Sequence, residues 1–114
     1  MSKARVSAGL LVLLVLPLLS VLLFAAGDAE QGKAAFMKRC KMCHGADGQG
    51  NPAMARMLKV EFKPMDSDYV QKKPDSEIKE IVTSGKGKMV AVRGVSGDEL
   101  ENIIAYIRTL KSAE

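Results

Sequence analysis

From Val6 to Gly27 the chain has no charged residue, and from Asp28 onward its apolar positions recur at steps of three and four. The first pattern predicts a leader, the second a set of short amphipathic helices. Asp28-x-x-Gln31 has the form of a capping box, and Gly32, Phe36, Cys40 and Cys43 continue from it at helical spacing. The Gly-rich run HGADGQGN ends that helix, so both thiols are expected near its end. Asn51-Pro52 predicts a second start, with Ala53, Met54, Met57 and Leu58 as the apolar stripe. The stretch KVEFKPMDSDYVQKKP shows no period and reads as a loop. Ile78, Ile81 and Val82 predict a helix over Asp75–Ser84, closed by Gly85. GKGKMVAVRG reads as a flexible connection. Ser96-x-x-Glu99 then opens a last helix carrying Leu100, Ile103, Ile104, Ile107 and Leu110. No segment alternates as a strand would, so the expected class is all-α, with three to four short helices.

Lys3 and Arg5 ahead of the uncharged run make residues 1–27 either a cleaved secretory signal or an uncleaved membrane anchor. The run is close to the roughly 20 apolar residues that span a bilayer. Either reading sends residues 28–114, a single domain, out of the cytoplasm: periplasmic, and soluble or tethered to the inner membrane by residues 6–26. A domain this small buries little surface and needs a disulfide, a metal or a large cofactor to complete it. Trp is absent, and beyond the leader only Phe36, Phe62, Tyr69 and Tyr106 are aromatic.

Charge adds mainly an exclusion. With Lys3 and Arg5 set aside, basic and acidic residues nearly balance, and no basic run is interleaved with aromatics. Nucleic acid is therefore not an expected partner. No acid, base or nucleophile set marks the chain as an enzyme.

The chemistry concentrates in CKMCH, which holds both cysteines and the one histidine of the chain, Cys40, Cys43 and His44. A Cys40–Cys43 disulfide would close a very short loop, and redox C-x-x-C motifs sit in a βαβ setting that this chain lacks. Structural zinc needs four ligands, and no further Cys or His is present. C-x-x-C-H is the attachment signature of c-type haem. The two thiols would form thioethers to one porphyrin, and His44 would follow as proximal iron ligand. The ring would also supply the apolar bulk that the sequence lacks.

A second axial ligand follows by elimination, since no second histidine exists. Met37 and Met42 lie beside or within the attachment helix, and Met54 and Met57 belong to an apolar stripe, where Met more often fills core space. Met65, in the unassigned loop, is the main rival. Met89, in the glycine-flanked GKGKM segment between two helices, is the expected ligand.

Together, CKMCHG, GKGKM ahead of the last helix and LENIIAYIRTL resemble the class I c-type cytochromes of the short bacterial single-haem kind. The resemblance covers about Asp28 to Leu110. It implies a small cytochrome c fold around one covalent haem c. It also implies a crossing of first and last helices through Gly32, Phe36 and Tyr106, and a Pro52 carbonyl that accepts the imidazole N–H. Val90 and Val92 stand where the family commonly has proline and an aromatic after the ligand Met, which implies a less rigid loop. The implied activity is one-electron transfer between redox donor and acceptor proteins, membrane complexes among them. Lys38, Arg39, Lys41, Lys86, Lys88 and Arg93 are expected to steer an acidic partner toward the haem edge. A haem-based ligand-binding or sensing module and a tethered haem subunit of a larger oxidoreductase are the alternatives.

Overall fold

A computed structural model describes residues 27–95 and 97–111, so residues 1–26 of the leader and Ser96 of the last capping box lie outside the described residues. Among the described residues the chain forms helices α1 (Ala29–Arg39), α2 (Lys41–His44), α3 (Pro52–Leu58), α4 (Asp68–Gln71), α5 (Asp75–Ser84) and α6 (Gly97–Thr109). Two of these are four-residue turns of helix, which is why six segments stand where three to four were expected.

Asp28 caps α1 by accepting from the backbone N–H of Glu30 and Gln31 at 2.9 and 3.0 Å. The box is not reciprocal. Gln31 Nε2 donates to the Asp28 carboxylate, while the Asp28 backbone N–H donates to Asn102 Oδ1 at 2.7 Å, tying the start of α1 to α6. Asn51 caps α3 through Ala53 and Met54, with Pro52 in the first turn. α5 has the expected bounds and ends at Gly85, whose φ of 79° suits a residue without a side chain.

The core lies where α1 crosses α6. Phe36 is fully buried beside Ile103, Tyr106 and Ile107, and its ring meets that of Tyr106 edge-on at 5.3 Å. The crossing is close because Gly32 has no side chain: a Cβ there would lie 1.7 Å from the Asn102 carbonyl oxygen. A second cluster joins Ile78 and Val82 of α5 to Leu100 and Ile104 of α6.

The segment before α5 is ordered by distant partners. Arg108 donates to the carbonyls of Gln71 and Lys73 at 2.9 and 2.6 Å and pairs with Asp75 at 2.6 Å. Gln71 Nε2 in turn reaches the carbonyls of Met65 and Ile107. The stretch expected to be a structured loop without helix therefore holds a short helix pinned to α6.

Candidate functional site

α1 stops at Cys40, whose N–H still bonds to the Phe36 carbonyl at 2.8 Å, and α2 resumes at once. Cys40 thus lies at the bend and packs against the Phe36 cluster, while Cys43 and His44 fall on the short turn beyond it. Both thiols are unpaired and half-buried. The glycine-rich run then folds back on α2. Gly50 N–H bonds to the His44 carbonyl at 2.7 Å, Asn51 N–H to Cys43 at 2.8 Å and Asn51 Nδ2 to Met42 at 2.9 Å. Left-handed backbone at Gly45, Gly48 and Gly50 makes that return possible. Three successive carbonyls of the motif are thereby fixed by the loop that follows it.

His44 presents its ring edge-on to Phe62 at 5.5 Å. Its Nδ1 is buried and has no hydrogen-bond partner, so the bond to the Pro52 carbonyl implied by the resemblance is not made. Burial pushes the imidazole pKa below its ordinary value, which favours the neutral, lone-pair-bearing form that binds metal. Burial also pushes the Cys40 thiol up to about 11, against the opposing influence of Arg39. A thiol so protonated is a poor thiolate nucleophile, unlike the reactive cysteine of a dithiol redox motif. Among the described residues, no three Cys, His, Asp or Glu side chains are grouped as a metal ion held by protein ligands alone would require.

Met89 is not on a free loop. Lys86 and Met89 exchange backbone hydrogen bonds, each 3.0 Å, around a two-residue turn at Gly87 and Lys88. The Met89 side chain packs on the α5–α6 cluster, as do Val92 and Val95. Its rival Met65 packs on the α1–α6 cluster, with its backbone tied to Gly48 and Gln71. Val95 touches both clusters, so the segments bearing Cys40 and Met89 rest on neighbouring stretches of α6.

Other expectations need correction. Met57 is 67% exposed and Ala53 is also exposed, so only Met54 and Leu58 of the α3 stripe turn inward. Arg39 is not free to steer a partner: it pairs with Glu99 at 2.6 Å and donates to the carbonyls of Arg93 and Gly94. Lys88 donates to the Leu58 carbonyl at 2.6 Å. Phe62, against His44, escaped the sequence reading because it stands in a stretch without periodicity.

The residues fit a large apolar group carrying a metal. Two unpaired thiols and an imidazole whose buried Nδ1 is unpartnered stand together on one turn, and Met54, Leu58, Phe62, Met65 and Met89 are half-buried. The fold is that of a small c-type cytochrome. A solved structure titled KustC0563 c-type cytochrome superposes with a TM-score of 0.59 at 23% identity, over 71% of this chain and 98% of the other. Residues 27–107 match the family described as "Cytochrome C oxidase, cbb3-type, subunit III". The chain belongs to that family, and so to the class I c-type cytochromes. Cytochrome c-554(547) of Halothiobacillus neapolitanus is 29% identical over 91 residues, which is 75% of this chain and 100% of that protein. Membership implies haem-based electron transfer.

Proposed function

We propose that this protein carries single electrons on one haem c, bound through thioethers to Cys40 and Cys43 and ligated by His44 and Met89. The observation that carries the reading is the arrangement of the motif: two unpaired thiols, Cys40 and Cys43, within one turn of a half-buried His44 imidazole whose Nδ1 has no hydrogen-bond partner. Haem supplies a one-electron iron couple, and His/Met ligation raises its potential. The chain's own residues do the rest. Cys40 and Cys43 retain the cofactor, and the returns of Gly50 and Asn51 hold α2 in register. Phe62 and the half-buried methionines exclude water.

The domain occupies residues 28–114 and works in the periplasm, behind a leader, residues 1–27, that is removed or serves as a tether. Supporting this, the family match begins at residue 27. No helix among the described residues is long and apolar enough to cross a membrane. Redox proteins, membrane complexes included, are its donor and acceptor. The family description favours one further reading, a small haem subunit docked on a membrane oxidase. Co-purification with an oxidase and an intact native N-terminus would support docking; a free carrier with a processed N-terminus would refute it.

Absorption spectra of the matured protein in both redox states test the ligand set. Haem should survive denaturing electrophoresis in wild type and be lost from the Cys40→Ser, Cys43→Ser double variant. Met89→Ala should abolish the sulfur-to-iron charge-transfer band and admit carbon monoxide to the reduced iron. Met65→Ala should keep the band. The opposite result for the two methionines would reassign the ligand.

A further inference from the structure

The Met89 turn is attached at both ends, and its tip is attached by a side chain. Past Met89, the Val92 N–H bonds to the Val82 carbonyl at 2.8 Å, and Arg39 donates to the carbonyls of Arg93 and Gly94 at 3.3 and 3.2 Å. Arg39 is itself fixed by Glu99, so this end is tied to α5, α1 and the start of α6. Before Met89, Gly85 lies against the returning strand: a Cβ there would sit 2.7 Å from the Met89 carbonyl oxygen. The tip points elsewhere. Lys88 Nζ donates 2.6 Å to the carbonyl of Leu58, the last residue of α3.

That carbonyl belongs to the last turn of α3, where intrahelical donors run out. α3 ends in a left-handed residue, Lys59 with φ 53°, whose N–H is used by the carbonyls of Ala55 and Arg56. An ammonium on a terminal carbonyl gains a charge-assisted hydrogen bond and the attraction of the helix's negative end. The bond joins parts of the chain 30 residues apart. It bridges from the Met89 turn to the helix that follows the attachment motif. Leu58, the residue it grips, has a half-buried apolar side chain.

We infer that Lys88 is a positioning residue: its ammonium latches the Met89 turn to the end of α3 and so slows departure of the Met89 sulfur from the iron. The inference rests on Met89 as axial ligand. It assigns to a hydrogen bond the stiffness that a residue such as proline after Met89 would have provided, since Val90 stands there and is 81% exposed. With the latch gone, the turn stays anchored at Val92–Gly94 and by the close approach of Gly85 to the Met89 carbonyl, but its tip is no longer held to α3.

The test uses the matured holoprotein. Imidazole uptake by the ferric form is followed in wild type, Lys88→Met, Lys88→Arg and Lys59→Met, alongside the sulfur charge-transfer band and the thermal midpoint. Lys88→Met keeps the aliphatic length and removes the donor, and uptake should accelerate about fivefold, the factor that one hydrogen bond of ordinary strength represents. Lys88→Arg should return the rate most of the way to wild type. Lys59→Met removes a charge from the same helix end without the bond and should leave the rate unchanged. An unaltered rate in Lys88→Met, or equal acceleration in Lys59→Met, would overturn the latch. A wild-type ferric spectrum without the sulfur band would instead overturn Met89 ligation itself.

Discussion

Where α1 crosses α6 the two backbones touch. Where the Met89 turn meets α3, one ammonium spans the gap. The first contact relies on the absence of a side chain at Gly32 and on Phe36 and Ile103, which are 0% and 1% exposed. The second relies on side chains that water reaches, and α2, α3 and α4 bury no residue completely. One region is a close-packed core with little room to adjust. The other consists of separately pinned segments whose apolar side chains are half-buried. Substitutions should therefore be felt as lost stability in the first region and as altered iron ligation in the second.

The largest loss of stability is expected from Gly32→Ala. The added methyl would meet the Asn102 carbonyl oxygen 1.7 Å away, and a helix backbone cannot yield without opening the crossing. A cost of about 3 kcal/mol or more follows, read as a fall in the holoprotein's melting temperature. A near-wild-type midpoint would mean that the helices slide apart freely and that the contrast is false.

Ile103→Ala comes next, at about 3 kcal/mol, because a buried side chain in a rigid site leaves a cavity. Met57→Ala is the matched control on the other side. With 67% of its surface exposed, it should change stability by less than about 0.5 kcal/mol. Comparable losses from the two would contradict the division.

Arg108→Ala probes the link between the regions. It removes donors to the Gln71 and Lys73 carbonyls and the partner of Asp75, and should cost about 2 kcal/mol. Hydrogen exchange should rise in residues 65–73 and stay unchanged in α1. Uniform loosening of the whole chain would show instead that α4 is part of the core.

How far each region could be read from sequence follows the same line. The bounds of α5, the caps at Asp28 and Asn51, and the α6 stripe of Leu100, Ile103, Ile104 and Ile107 are local signals, set by neighbours within a turn or two. The motif Cys40, Cys43 and His44 is local as well, which is why its chemistry was legible. α4 was missed because Arg108 and the Gln71 side chain hold it against α6 from more than 30 residues away. The Met89 turn was read as flexible for the same reason: Leu58 and Arg39, which secure it, lie far back in the sequence. Phe62 carried no periodic signal, and its place beside His44 depends on the course of the loop that bears it.

The smallest effect belongs to Asp28, at the exposed start of α1. Its carboxylate is held below the usual range of 3.8, chiefly by the Gln31 backbone N–H, then by the Gln31 side chain and the Glu30 N–H. Because the folded state prefers the ionised form, Asp28 stabilises the fold fully above its unfolded pKa. That contribution fades as pH falls through the lower, folded value. Asp28→Ala should therefore lower the melting temperature modestly at neutral pH. The gap from wild type should narrow below pH 3.8 and close beneath the folded pKa. The Asp28 backbone bond to Asn102 survives the substitution, so the crossing at Gly32 should be undisturbed. A gap that stays constant through acid would mean that the cap's charge contributes nothing and that its hydrogen bonds from Glu30 and Gln31 stabilise α1 equally in the neutral form.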